Sequence, residues 1–246
     1  MSDRERPRRV VLVTGAARRI GCAIARACAA RGLDVAVHHA TSGAAAEALV
    51  DELRALGVAS HAFCADLTAD GAARALADAV LARFGRVDVL VHNASVFERT
   101  PLLATSPTAW TAAVRRAFAL HPAAALELVH ALAPGMVERG GGAVVFLGDA
   151  DRRRIAHAPY AASKAALEAL VPVLARELAP HVRVNAVAPG SILPAAGGAA
   201  PDALVRAVPA GRLGTPAEVA DAVLFLALGP AFVTGQVLGI DGAQHV

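Results

Sequence analysis

Apolar residues follow two rhythms along this chain. Short, nearly continuous β-branched runs occur at 9–14, 34–39, 59–64, 87–92, 143–147, 183–187 and 237–240. Runs of that length with no polar alternation predict strands buried on both faces. Between them, alanine-rich stretches at 20–31, 43–56, 69–84, 106–137, 158–178 and 216–227 repeat apolar positions every three or four residues, which predicts helices. In the first helix Ile20, Ala23, Ile24, Ala27 and Cys28 form a stripe, Arg26 and Arg31 turn away, and Gly32 stands ready to end it. Strand and helix alternate to the end of the chain. That order predicts one α/β domain, a doubly wound parallel sheet of about seven strands with helices on both faces. The domain covers 9–246 and follows a basic tail, 1–8.

Two segments break the rhythm. Residues 191–211 are rich in Ala, Gly and Pro without periodicity, predicting a mobile loop over a site. Pro172 interrupts the predicted 158–178 helix, but two turns beyond the chemistry that helix carries.

Composition narrows the class. Of 246 residues 56% are hydrophobic but only 4% aromatic, so the core is packed from small side chains. No uninterrupted apolar segment reaches bilayer length, and the first nine residues contain no apolar signal core. Cys22, Cys28 and Cys64 have neither metal nor redox spacing, and three is an odd number for a disulfide framework. Buried thiols in a reducing cytoplasm are expected. The net charge of +3 comes from scattered arginines without interleaved aromatics, which does not describe a nucleic-acid surface. An anionic small-molecule partner accounts for it equally well, and no metal site is predicted.

Candidate chemistry begins with the only tyrosine and the only lysine, Tyr160 and Lys164. Four residues make one helical turn and stack both on one face. An ammonium there is expected to lower the phenol pKa from its usual ~10. Lysine also offers compact donors to sugar hydroxyls, which the rigid arginine fork fits poorly.

The first predicted strand runs into a turn, Thr14-Gly15-Ala16-Ala17-Arg18-Arg19-Ile20-Gly21, that opens directly into a helix. This strand–turn–helix lets a pyrophosphate reach backbone N–H groups at the helix N-terminus, and it marks the sheet as Rossmann-type. The second strand ends His38-His39-Ala40-Thr41-Ser42 without the carboxylate that would hold an NAD ribose. With Arg18 and Arg19 in the turn and donors on His38, His39, Thr41 and Ser42, NADP(H) is expected.

Together these features resemble the short-chain dehydrogenase/reductase family over almost the whole chain. Asp66-Leu67 matches its acidic residue near the adenine, and Asn93-Ala94-Ser95 its element after strand four. Tyr160 and Lys164 match the catalytic pair, and the segment 185–190 matches the one bordering the nicotinamide, with Pro189, Gly190, Ser191 and Ile192 at that wall. Arg212-Leu213-Gly214-Thr215-Pro216 and Ile240-Asp241-Gly242 match the closing motifs.

A narrower resemblance is to the pteridine reductases, through the Gly-Ala-Ala-Arg-Arg-Ile-Gly turn, the histidine ending strand two, and Phe97 following Asn-Ala-Ser. It implies that Phe97 stacks on a pterin and that Asp149 stands where most relatives carry a catalytic serine. Asp149 precedes Tyr160 by a shorter interval than is usual, so Asp149 and Asp151 compete for that place. The family's helical asparagine would fall near Ala117 or Phe118, yet the chain's only asparagines are Asn93 and Asn185.

The resemblance therefore implies NADPH-dependent reduction of a pterin or dihydrofolate-like substrate. Tyr160 would be the proton donor, Lys164 the holder of the nicotinamide ribose, and Asp149 the residue orienting substrate. Arg152–Arg154 reads as a hydrated loop or an anchor for a glutamate tail. A general carbonyl or 3-oxoacyl-thioester reductase, and an NADP-binding regulator with little turnover, stay open. Relatives assemble through the helices matching 106–137 and 158–178, implying a homotetramer or dimer.

Overall fold

The computed structural model describes residues 8–151, 153–192 and 202–245. The tail at 1–7, Arg152 and the 193–201 part of the expected loop lie outside them. In chain order the elements are β1 Val10–Val13, α1 Arg19–Ala30, β2 Asp34–His39, α2 Gly43–Ala55, β3 Ser60–Cys64, α3 Ala72–Phe84, β4 Val89–His92 and α4 Pro107–Phe118. A π turn, Ala119–Ala123, follows, then α5 Ala124–Glu138, β5 Gly142–Leu147, α6 Ala158–Glu177, β6 Val182–Pro189, α7 Asp202–Arg206, α8 Pro216–Leu228 and β7 Val237–Ile240.

All seven strands pair in parallel, in the order β3-β2-β1-β4-β5-β6-β7. Successive side chains on a strand face opposite ways, and the burial follows that rule. Val11 and Val13 join Val35, Val37, Val145 and Val187 beneath α1, α2 and α8, whereas Leu12, Ala36, Val144, Phe146 and Val184 pack under α3, α5 and α6. Both faces are covered, which is why the strands read as continuous apolar runs. Strand order reverses between β1 and β4, and the crevice at their carboxyl ends is where such sheets place a ligand.

Several local devices set the elements that matter here. Helix α8 begins with a reciprocal capping box between Thr215 and Glu218. Helix α6 carries Pro159 in its first turn and runs unbroken through Pro172, so the expected interruption does not divide it. The predicted 106–137 helix is divided instead. Pro122 has no N–H for the α ladder, and the chain widens into the π turn around it. By length and hydropathy Pro107–Glu138 could cross a bilayer, unlike the sequence expectation; here Ala124, Leu128, Leu132 and Met136 are buried against the sheet. Part of the expected loop, 202–206, is the short helix α7. Of the three free thiols Cys28 is buried, Cys22 half-buried and Cys64 exposed, so the expectation of buried thiols fails at Cys64, which sits at the sheet edge.

Candidate active site

Thr14 ties the ends of β1 and β4 together. Its Oγ1 accepts from the N–H groups of Asn93 and Ala94, both at 2.9 Å, so its own proton points to His92 Nδ1 at 3.2 Å. Asn93 Nδ2 donates to the carbonyls of Thr14 at 2.9 Å and Gly15 at 3.0 Å. The turn itself is left-handed at Gly15 (φ +63°) and at Arg19 (φ +55°), a region uncommon for a residue with a Cβ. Gly21 admits nothing larger, since a Cβ would stand 2.3 Å from the Gly15 carbonyl.

His38 corrects one expectation. Its Nδ1 accepts from Gly15 N–H at 3.0 Å, which puts its proton on Nε2, donating to the Ala65 carbonyl at 3.0 Å. Both ring nitrogens are engaged with backbone, and burial pushes the imidazole down to about 4. It builds the turn from beneath rather than offering a donor to a ligand. His39, next along, is buried with no hydrogen-bond partner for Nδ1.

Two cavities share Gly15, Arg18, Ala94 and Ser95 as a common wall. The smaller, about 200 Å³, is bordered by Arg18, His39, Thr41, Ser42, Asp66 and Leu67. Asp66 accepts from Thr68 N and Oγ1, which holds its carboxyl below the usual range. The larger, about 450 Å³, is bordered by Arg19, Ile20, Gly21 and Asn93 on one side and Pro189, Gly190, Ser191 and Ile192 on another. Its inner wall is Phe97, Asp149, Arg154, Tyr160 and Lys164. The residues expected to hold cofactor, together with Phe97, Asp149 and Tyr160, therefore border one of these two spaces, whereas Asp151 and Arg153 border neither.

On α6, Tyr160 and Lys164 are both buried. The Tyr160 hydroxyl donates to Asp149 Oδ2 at 2.6 Å. Asp149 leaves the end of β5 with its N–H on Glu168 Oε1 at 3.1 Å, and its Oδ1 accepts from Asp151 N–H at 2.8 Å. The competition between the two aspartates thus ends with Asp149 facing the phenol. Asp151 turns back to accept from Arg153 N–H at 3.1 Å.

The expected electrostatics of the Tyr–Lys pair are reversed. Burial, then the charge of Asp149 and its hydrogen bond, push the phenol well above its ordinary value; Arg154 pulls the other way. Lys164 Nζ is 5.9 Å from the Tyr160 ring centroid and donates to the Leu147 carbonyl at 2.6 Å. Burial brings Lys164 down to about 8 against the opposing charges of Asp149 and Glu168. The phenol is therefore a neutral donor, not an incipient phenolate.

Arg154 is not a residue of a hydrated loop. Its Nε and Nη2 reach Asp149 Oδ2 and Oδ1 at 3.2 and 3.3 Å, and its guanidinium lies 5.4 Å from the Phe97 ring centroid. Phe97, 56% exposed, stacks on His157 with centroids 4.3 Å apart and planes 9° from parallel, and meets Tyr160 edge-on at 4.9 Å. His157 is held by the Glu98 carbonyl at 2.8 Å.

Sequence reasoning missed three neighbours of this wall: Glu168, His157 and His121, whose ring meets Tyr160 edge-on. Glu168 stands four residues after Lys164, a helical spacing that could have raised it. His121, the residue before Pro122 in an otherwise apolar helical run, could have been noticed as a polar interruption. His157 carried no signal, because only the path of the loop before α6 turns it inward, and the same path picks Arg154 out of the arginine run noted in the sequence.

A family model described as enoyl-(acyl carrier protein) reductase matches residues 15–245. An uncharacterized oxidoreductase of Mycobacterium tuberculosis is 38% identical over 95% of this chain and 91% of its own. The 3-oxoacyl-[acyl-carrier-protein] reductase FabG of Staphylococcus epidermidis is 33% identical over 96% of this chain and 98% of its own. The crystal structure of FolM alternative dihydrofolate reductase 1 from Brucella canis, complexed with NADP, superimposes with a TM-score of 0.87 at 32% identity, covering 97% of this chain and 94% of that one.

Proposed function

The chain belongs to the short-chain dehydrogenase/reductase family, and from that premise we propose that it is an NADPH-dependent reductase of a pterin or dihydrofolate-like substrate. The observation that carries the reading is the 2.6 Å bond from the Tyr160 hydroxyl to Asp149 in a wall shared with the aromatic ring of Phe97.

The smaller cavity fits a 2′-phosphorylated nucleotide. His39 Nδ1 is buried there without a partner, Arg18 lies at the rim, and β2 ends without a carboxylate to repel the phosphate. Arg18, His39, Thr41 and Ser42 would hold the phosphorylated ribose, and Asp66 and Leu67 the adenine. The N-terminus of α1 behind Gly15, Arg19, Ile20 and Gly21 would take the pyrophosphate. Pro189 to Ile192 would border the nicotinamide, with Lys164 donating to its ribose. NADPH supplies the hydride; the protein supplies alignment and a proton.

Tyr160 keeps its proton at neutral pH because burial and Asp149 disfavour the phenolate. It delivers that proton by exchanging Asp149 Oδ2 for a basic nitrogen or oxygen of the substrate. Asp149 accepts from amino and ring N–H groups, and Phe97, backed by His157, offers a face for a flat heterocycle. Arg154 balances the Asp149 charge while this happens.

Similarity to a 3-oxoacyl-[acyl-carrier-protein] reductase supports a second substrate class, a β-ketoacyl thioester. Following NADPH oxidation with dihydrobiopterin, dihydrofolate, a quinone and an acetoacetyl thioester tests both. Turnover of the dihydropterins is expected; turnover of the thioester alone would replace the pterin reading, and NADPH binding without any turnover would make the protein a nucleotide-binding regulator. We further propose a cytoplasmic homotetramer, assembled through the α4–α5 segment and α6, where Leu126 and Val173 are exposed; light scattering reads the mass.

A further inference from the structure

His121 is a buried titratable side chain that the proposed reaction does not use. It lies in the π turn Ala119–Ala123, an arrangement that is rare and concentrated at functional sites. Its hydrogen bonds can be followed proton by proton. The Ser163 hydroxyl donates to the Tyr160 carbonyl at 2.8 Å, so its oxygen accepts the Nδ1–H of His121 at 2.7 Å. Nε2 is then bare and accepts the Ser95 hydroxyl at 2.9 Å. The ring also meets Tyr160 edge-on, with centroids 5.7 Å apart. Burial, together with the charges of Lys164 and His92, pushes the imidazole down to about 2, so it stays neutral and this proton pattern persists.

One imidazole thus spans from Ser95, which borders both cavities, to the helical turn carrying Tyr160. Neither His121 nor Ser163 borders either cavity, so anything they do to turnover passes through their neighbours. We propose that His121 is a positioning residue that fastens the Tyr160–Ser163 turn of α6 to the Ser95 wall of the cofactor groove, thereby fixing where the phenol points. The α4–α5 segment, which has no asparagine at Ala117 or Phe118, reaches the site through this residue instead.

The inference rests on the reductase reading only where turnover is the readout. A second readout avoids that dependence: Tyr160 is the only tyrosine, so a ¹³Cζ-tyrosine label gives a single resonance that reports its placement. His121→Phe keeps a ring edge against Tyr160 and removes the hydrogen bonds with Ser163, Ser95 and the Val96 N–H. His121→Asn restores a donor where Nδ1–H stood. We expect His121→Phe to lower kcat at least ~10-fold. KM for NADPH should stay within about threefold of wild type. His121→Asn, which restores the Ser163 end but not the Ser95 end, should recover part of the loss. Ser163→Ala should fall in kcat with His121→Phe, and the double variant should be no worse than His121→Phe alone. The tyrosine resonance should move in His121→Phe and Ser163→Ala and less in His121→Asn.

Full kcat in His121→Phe, equal impairment in His121→Asn, or additive losses with Ser163→Ala would each overturn the proposal. If the wild type turns over none of the four substrates, the reductase reading falls, and the resonance decides this inference by itself: unmoved in His121→Phe, it refutes it. Should His121→Phe not fold, Ser163→Ala and Ser95→Ala carry the same two readouts.

Discussion

Tyr160 and Asp149, eleven positions apart, are joined by a 2.6 Å hydrogen bond from phenol to carboxylate, and Arg154 closes on the same carboxylate at 3.2 Å. Burial first, and then Asp149, rather than the Tyr160–Lys164 pair, keep the phenol protonated. The triad sets a hydroxyl donor and a carboxylate acceptor side by side, the two groups on which the proposed pterin reading relies.

Asp149→Ala should therefore separate the two substrate classes. A site built to accept hydrogen bonds from a heterocycle loses them all, and the lost discrimination is large when polar groups are left unpaired. Activity on dihydropterins is expected to fall by at least ~10²-fold, with a smaller loss on an acetoacetyl thioester. Steady-state kcat/KM for both substrates decides; equal losses would take Asp149 out of substrate recognition.

Nucleotide choice should follow the β2 end. Thr41→Asp places a carboxylate where the 2′-phosphate is proposed to lie. A charge-assisted hydrogen bond is worth about 1.5–3 kcal/mol, so the KM for NADPH should rise roughly 10–100-fold, and that for NADH much less. Arg18→Ala should move the ratio in the same direction. A ratio unchanged in both variants would place the phosphate elsewhere.

Stability should fall steeply in mild acid. Burial pushes His38 to about 4, His92 to about 3 and His121 to about 2, whereas an unfolded histidine titrates near 6.5. Between those values the unfolded chain binds more protons than the folded one, so stability is present above pH 6.5 and is lost as pH falls below it. Three such groups bring the slope towards about 4 kcal/mol per pH unit below pH ~5.5. Thermal melts from pH 7.5 to 4.5 should show it, and His121→Asn should flatten the curve by about one proton. A Tm independent of pH over that range would contradict the buried neutral imidazoles.

Much of this was legible in the residues. Buried parallel strands show themselves as unbroken β-branched runs, and the turn from Gly15 to Gly21 points to a phosphate site because it opens directly into a helix whose first N–H groups are free. What stayed hidden depends on which groups meet in three dimensions. His38 read as a donor, but the Gly15 N–H and the Ala65 carbonyl consume both of its nitrogens. Lys164 read as the partner of the phenol, yet its ammonium turns to the Leu147 carbonyl while Asp149 reaches the hydroxyl first. The π turn around Pro122 left only a proline in a helical pattern, a mark equally compatible with a simple kink.

The most direct test of the account is the turnover of Tyr160→Phe on 7,8-dihydrobiopterin with NADPH, measured beside NADPH affinity from nucleotide fluorescence. Because phenylalanine keeps the ring contacts with Phe97 and His121, the account predicts a loss of at least ~10²-fold in kcat with nucleotide affinity nearly unchanged. Near-normal kcat in that variant would contradict it.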